Sequence, residues 1–228
     1  MSKVHLVYQQ AANGSITKNT MLGWVLCQLL RVRTGTRPLV IDIGINQSLL
    51  RTCDPLEIER RSIFSQDSTL IPQEVEELLA HIIGSDDEMD VVLLCDHSSL
   101  LESSRYFKLL NLKSLLATYN KQLFVHVSLY GLDSETNQEK MIEQVMSLCD
   151  VGKGRAYSLE HTRNASSERA THSIVTLHHP TYSHDVELLQ KALEDGVCVG
   201  DPHSYASLCP TEQHQLERFY TACAEVIL

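Results

Sequence analysis

The sequence predicts an α/β fold in which a doubly wound, mainly parallel sheet is flanked by helices. Apolar, β-prone segments alternate with amphipathic helical segments, which is typical of parallel strands joined by helical crossovers. The segment 91–96 is apolar on both faces, as expected of a central strand. This segment and the segment 39–42 both end in an aspartate, and such sheets bind ligands at the carboxyl ends of their strands.

Apolar periodicity, with Gly or Pro at the ends of the segments, predicts the individual strands and helices. The sequence predicts strands at residues 4–8, 39–42, 91–96, 123–128, 156–159 and 173–177. It predicts helices at residues 21–31, 72–82, 103–119 with a break near Asn111, 135–148, 186–193 and from Pro210 onward. Because no linker is long enough to split the chain, we expect one domain over residues 1–228, with a less regular pattern over about 151–228.

Composition narrows the classes of function. The chain has 228 residues, 43% of them hydrophobic, and a net charge of −10. No apolar run reaches the roughly 18 residues of a membrane span, so none is expected. Seven cysteines without a CxxC pair, and no visible secretory signal, predict a reducing, cytoplasmic location. The acidic charge opposes a phosphate backbone, so we expect no tight direct binding to nucleic acid.

Between the first strand and the first helix lies a loop of small polar residues that ends near Lys18. A strand, a tight loop, one lysine and a helix N-terminus form the layout of a phosphate-binding loop. The pattern G-x-x-x-x-G-K-[ST] requires glycine where Ala12 and Thr17 stand, and Ser or Thr where Asn19 stands. On these residues alone, an ordinary strand-to-helix connection is the better interpretation. However, Lys18, Asp42 and Asp96 all follow strand ends, which favours a nucleotide-type site at one sheet edge.

The chain resembles the ParA/MinD family of P-loop ATPases in three stretches. These are the first strand with its loop and Lys18, the stretch 40–49 and the strand 91–96. Within that family the chain is most similar to the plasmid-stability StbB and conjugal-transfer TraL branch, and the stretch 122–131 also suits it. The resemblance covers roughly residues 3–150 and implies a P-loop NTPase-like sheet fold.

The resemblance assigns the loop residue by residue. The family loop reads K-G-G-V-G-K-[ST]-[ST], and it aligns on Lys18. Its signature lysine, which reaches the nucleotide of a dimer partner, falls on Asn13. Its three glycines fall on Gly14, Ser15 and Thr17. The last two carry Cβ atoms where the backbone must wrap closely around phosphates.

The resemblance also implies the metal and catalytic positions. The magnesium-binding hydroxyl falls on Asn19, and Thr20 is the only neighbouring hydroxyl. Asp42 corresponds to the acid that orients the attacking water, and Gly44 replaces the second acid of that motif. Asp96 corresponds to the acid that holds the metal through water. An asparagine carbonyl is a poorer magnesium ligand here than the usual hydroxyl.

Two functions follow as expectations. In the first, the chain is a degenerate ParA/MinD-like protein with weak or no ATP hydrolysis, and its ATP and magnesium binding is weak or lost. It then serves plasmid stability, partition or conjugal DNA transfer through a protein partner, such as a DNA-binding protein, or through a homodimer. In the alternative, it is an active, ATP-dependent dimerising switch that positions DNA or a protein complex. The missing charge at Asn13 favours the first.

Two other constellations are weaker. A metal site could be assembled in the last third of the chain, but the spacing of the candidate ligands matches no standard metal-binding pattern. Solvated loop side chains are therefore the better interpretation of these residues. They are His178, His179, His184, Asp185, Asp201, His203 and Cys209. A Ser/His/Asp hydrolase built on residues 96–98 is disfavoured. Adjacent residues rarely converge, and the chain has no G-x-S-x-G elbow.

Overall fold

The structure is a computed structural model that describes most of the chain. The described residues are 2–9, 21–45, 58–86, 88–128, 140, 143, 154–158, 174–176, 187–189, 191–192, 195–198, 201 and 203–227. Among them, no helix combines the length and the apolar character that crossing a membrane requires.

Seven strands form a single sheet in the order β3-β2-β4-β1-β5-β6-β7, and every described pair of neighbours runs parallel. The predicted doubly wound α/β fold is confirmed. The strands are β1 (Ser2–Gln9), β2 (Leu39–Asp42), β3 (Glu59–Arg60), β4 (Val91–Asp96), β5 (Lys121–Ser128), β6 (Gly154–Ser158) and β7 (Ile174–Thr176). The two-residue β3 is not predicted by the sequence, because it is too short to show a period.

Five helices have described bounds: α1 (Met21–Thr34), α2 (Pro72–Gly84), α3 (Leu100–Leu109), α4 (Leu112–Thr118) and α5 (Pro210–Ile227). The helical stretch expected at 103–119 is two helices. Asn111 lies between them with a φ of 47°, a left-handed conformation that asparagine tolerates better than most residues. The described residues at 187–189 and 191–192 are also helical, as predicted for that segment.

Alternation along the strands divides the core between the two faces of the sheet. Side chains such as Val7, Val40 and Leu94 face α1 and α5, whereas Leu6, Ile41 and Leu93 face α2, α3 and α4. Successive side chains of a strand point to opposite faces, so each strand contributes to both layers. All six residues of β4 are buried, as expected of a central parallel strand.

Helix α1 is enclosed between the sheet and α5. Residues 22–30 are all buried, and the indole N–H of Trp24 donates a hydrogen bond of 2.6 Å to the hydroxyl of Tyr220 on α5. Leu216 of α5 is likewise buried in this core. At the opposite end of α1, Arg33 forms an ion pair of 2.8 Å with Asp90, just before β4. These contacts fix the position of α1 across the sheet.

Two histidines are buried in the middle of the sheet on the α1 face. His5 of β1 and His126 of β5 share a hydrogen bond of 3.0 Å between Nδ1 and Nε2. One nitrogen donates and the other accepts, which requires a neutral acceptor ring. Burial lowers the pKa of His5 well below its usual value, and His126, Lys3 and Arg33 lower it further.

We expect the protein to lose stability as the pH falls below about 6.5, the pKa of an unperturbed histidine. The folded-state pKa of His5 is lowered, so its contribution is intact above the unfolded pKa and is lost as pH falls through the folded pKa. The double variant His5→Phe/His126→Phe should be nearly as stable as wild type at pH 8 and less sensitive to acid. Denaturant melts from pH 8 to pH 5 measure this.

The matched control is His214→Gln, which changes an exposed histidine on α5. An unchanged acid sensitivity in the double variant would show that other groups cause the loss.

Candidate functional site

The carboxyl edge of the sheet has, between β1 and β4, the topology that forms a ligand-binding crevice. These strands are neighbours, but the chain leaves β1 through α1 on one face and leaves β4 through α3 and α4 on the other. Divergent connections of this kind open a crevice at the strand ends, where doubly wound sheets bind ligands.

Three polar residues end the strands at this crevice. Gln9 ends β1 and lies opposite Asp96, the end of β4, while Asp42 ends the adjacent β2. The residues two positions earlier belong to the core beneath α1; they are Val7, Leu94 and Val40. Because side chains repeat every second residue, all three polar side chains lie on the α1 face. The sequence-predicted acids are therefore on the same face of neighbouring strands.

Gly44 brings the two carboxylates together. Its backbone N–H donates a 3.0 Å hydrogen bond to Oδ1 of Asp42. A Cβ placed on Gly44 would lie 3.0 Å from Oδ2 of Asp96 and 3.4 Å from Oδ1 of Asp42. A larger residue would therefore press on Asp96. The absence of a side chain at position 44 allows the carboxylates to flank the same point.

Asp96 is held in place by the 3-10 turn His97–Ser99 that follows it. Its Oδ1 accepts hydrogen bonds from the backbone N–H of Ser99 at 2.9 Å and from the hydroxyl of Ser98. The Ser99 hydroxyl in turn donates to the Asp96 carbonyl at 2.7 Å. Hydrogen bonds to a carboxylate are among the stronger ones in proteins, so the orientation of Asp96 is fixed.

Burial raises the pKa of Asp42 from 3.8 to about 6, and the charge of Asp96 adds to the rise. The N–H of Gly44 and the charge of Arg60 act in the opposite direction without cancelling it. Burial also raises the pKa of the Cys95 thiol, which precedes Asp96 on β4 and faces the other side of the sheet, well above its usual value. Cys95 is therefore an unreactive core residue, and the carboxylates are the chemically useful groups.

Carboxylate oxygens are the hard ligands that magnesium prefers, so this pair fits a magnesium ion. Among the residues with described positions, no group of three or more His, Cys, Asp or Glu side chains could hold a metal. Magnesium commonly takes one or two carboxylates and completes its octahedron with water and phosphate oxygens. Asp96 and Asp42 would hold the ion in that manner.

Comparison with protein-family models, with curated proteins and with solved structures finds no match to this chain.

The predicted phosphate-binding loop lies outside the described residues, as do its candidate side chains Asn13, Gly14, Ser15, Thr17, Lys18, Asn19 and Thr20. The described chain resumes at Met21, the first residue of α1. The roles assigned to the loop therefore stay predictions, whereas the two acids are placed.

The alternative constellations are not assembled by the described residues. The hydroxyl of Ser98 bonds to Asp96, and Nε2 of His97 has no hydrogen-bond partner in the described chain, so no Ser–His–Asp relay forms at residues 96–98. In the last third, Cys209 and His203 are exposed. The positions of His178, His179, His184 and Asp185 lie outside the described residues.

Gln9 is not among the residues predicted for this edge from the sequence, although a glutamine directly after the apolar residues 6–8 is a usable signal. Its side chain is fully buried, and its Oε1 accepts a 3.1 Å hydrogen bond from the N–H of Gly23 in α1. The pairing of residues 9 and 23 depends on how α1 lies on the sheet, which no local pattern reports.

We expect Asp42→Asn to stabilise the protein at pH 7.5 by about 1–3 kcal/mol, since an amide of equal size is buried in place of a desolvated carboxylate. The folded pKa of Asp42 is raised, so its ionisation lowers stability as the pH rises from about 4 to about 6. The gain should disappear near pH 4. Denaturant melts at both pH values measure it, and equal stability of the two proteins at pH 7.5 would contradict the burial argument.

Proposed function

We propose that the chain is a degenerate ParA/MinD-like P-loop protein that binds a nucleotide weakly with magnesium and hydrolyses it slowly or not at all. The observation that carries this proposal is the meeting of Asp42 and Asp96 around Gly44, on the α1 face of the crevice. Paired, oriented oxygen ligands beside a helix N-terminus suit a metal bound to an anionic phosphate chain.

The proposal requires a metal ion because the site and the phosphate chain would both be negatively charged. Two carboxylates would repel a phosphate chain, whereas a magnesium ion held between them would cancel their charge and offer open coordination positions to phosphate oxygens. The N-terminal end of α1 carries partial positive charge and backbone donors. Lys18, just before this helix, would supply a further cation to the phosphates. When bound, magnesium would neutralise phosphate charge.

Weak hydrolysis follows from what the loop lacks. Phosphoryl transfer depends on positive charge around the transferring phosphate. Asn13 stands in place of the cross-dimer lysine, and Asn19 in place of the magnesium-binding hydroxyl. Gly44 replaces the second acid, so no other acid of that motif can orient a water molecule when Asp42 holds the metal. The bond from Gly44 already occupies one oxygen of Asp42.

A protein partner completes the proposal. The net charge of −10 opposes direct contact with DNA. We propose that the chain acts in plasmid stability, partition or conjugal DNA transfer by binding another protein, such as a DNA-binding protein, or a second copy of itself. The alternative function, an active dimerising switch ATPase, is favoured by the fixed orientation of Asp96.

Magnesium and ATP together should raise the melting temperature, and either alone should raise it less. At a ligand concentration one hundred times the dissociation constant, the stabilisation is about 2.7 kcal/mol. Asp96→Ala should abolish the shift because the oriented ligand oxygen is lost. Thermal melts with and without EDTA measure it. Glu217→Gln, on the exposed side of α5, is the control that should retain the shift. No shift in wild type at millimolar ATP and magnesium would contradict the proposal.

Phosphate release from ATP should be at or near background for the purified protein. The triple variant Asn13→Lys/Thr17→Gly/Asn19→Ser should bind nucleotide more tightly, because it restores charge, backbone space and the metal-binding hydroxyl. Calorimetric titration and a phosphate-release assay measure the two quantities. Rapid turnover by the wild-type protein, lost in Lys18→Ala, would support the switch ATPase instead.

A further inference from the structure

Gln9 joins the end of β1 to the beginning of α1. Its Oε1 accepts the hydrogen bond from Gly23 at 3.1 Å, and its side chain is completely buried. Gly23 is the third residue of α1, in the turn whose N–H groups commonly need acceptors from outside the helix. Among the described residues, Gln9 supplies such an acceptor. The residues between Gln9 and Met21 are those of the predicted phosphate-binding loop.

The contact is close because Gly23 has no side chain. A Cβ at this position would lie 2.7 Å from Cδ2 of Leu94 and 3.3 Å from both Oε1 and Nε2 of Gln9. The first turn of α1 thus packs directly on β1 and β4. Since Gln9 is the register partner of Asp96, this turn starts beside the carboxylate pair.

The Nε2 atom of Gln9 is buried and has no hydrogen-bond partner among the described residues. A buried donor without a partner destabilises the fold, and a methionine of similar length would avoid that penalty. A helix N-terminus and an unpartnered amide donor therefore lie together, on the same face as two carboxylates suited to a metal. This combination matches an anionic oxygen that approaches beside the metal.

We propose that Gln9 is a positioning residue of the ligand site. Its Oε1 holds the first turn of α1 over the carboxylate pair, and its Nε2 donates a hydrogen bond to an anionic oxygen of the phosphate-bearing ligand. The donor half rests on the proposed function. The positioning half concerns the ligand-free protein and stands apart from it.

Two variants separate the halves. Gln9→Met removes both polar atoms at similar size, whereas Gln9→Glu in its ionised form keeps an acceptor for Gly23 and removes the donor. The matched control is Gln28→Met, which changes another completely buried glutamine further along α1. Backbone amide exchange at Gly23 in the ligand-free protein reports positioning. Calorimetric titration with Mg·ATP reports the donor, and melting temperatures check folding.

Exchange at Gly23 should be faster in Gln9→Met and close to wild type in Gln9→Glu and Gln28→Met. The dissociation constant for Mg·ATP should rise by about tenfold or more in both Gln9 variants, as expected for a lost hydrogen bond to a charged group, and should be unchanged in Gln28→Met. The ligand-free melting temperature of Gln9→Met should differ little from wild type, because the lost bond is offset by removal of the unpartnered donor.

Unchanged exchange at Gly23 in Gln9→Met would overturn the positioning half. Wild-type affinity in either Gln9 variant would overturn the donor half. If wild-type protein binds no Mg·ATP, the proposed function and the donor half fail together, and exchange at Gly23 still decides whether Gln9 positions the helix.

Discussion

The position of α1 on the sheet sets the geometry of the carboxyl edge. The helix is buried on the sheet side by β1 and β4 and on the outer side by α5, through contacts such as Trp24 with Tyr220. Its beginning is tied to β1 by Gln9, and its end is tied to the start of β4 by the pair of Arg33 and Asp90. Fixed at both ends, α1 cannot slide along the strands, so its N-terminus stays at the carboxyl edge.

Strand order converts this placement into a site. Inserting β4 between β1 and β2 makes the ends of three strands neighbours, although Gln9, Asp42 and Asp96 are far apart in the chain. The two-residue period then sets all three side chains on the α1 face. The geometry needs one special residue, Gly44, because a side chain there would press on Asp96.

The sequence predicts the layers of this fold well because its strands are short and apolar and alternate with helices along the chain. The strands around Val7, Leu94 and Val125 are identifiable from β-prone, apolar runs, and the aspartates that end two of the strands lie at the same edge of the sheet, as their positions predict. The sequence does not predict what depends on packing between distant elements. The bond between Gln9 and Gly23 depends on the contact of α1 with the sheet. The fixation of Asp96 depends on a 3-10 turn, for which residues 97–99 give no periodic signal.

Buried polar groups on the α1 face occur both in the middle of the strands and at their carboxyl edge. His5 and His126 share one hydrogen bond in the middle of the strands, which partly offsets the cost of burying them, while Nε2 of His5 has no partner in the described chain. The groups at the carboxyl edge differ in that two of them are carboxylates. Asp42 is buried with a raised pKa beside a second carboxylate, and Nε2 of Gln9 has no partner in the described chain. Local rules of burial are broken most often where a protein binds something. A metal ion would relieve the two carboxylates, and an anionic oxygen would pair with the amide. The metal–phosphate ligand proposed above would therefore compensate both the carboxylate pair and the amide of Gln9.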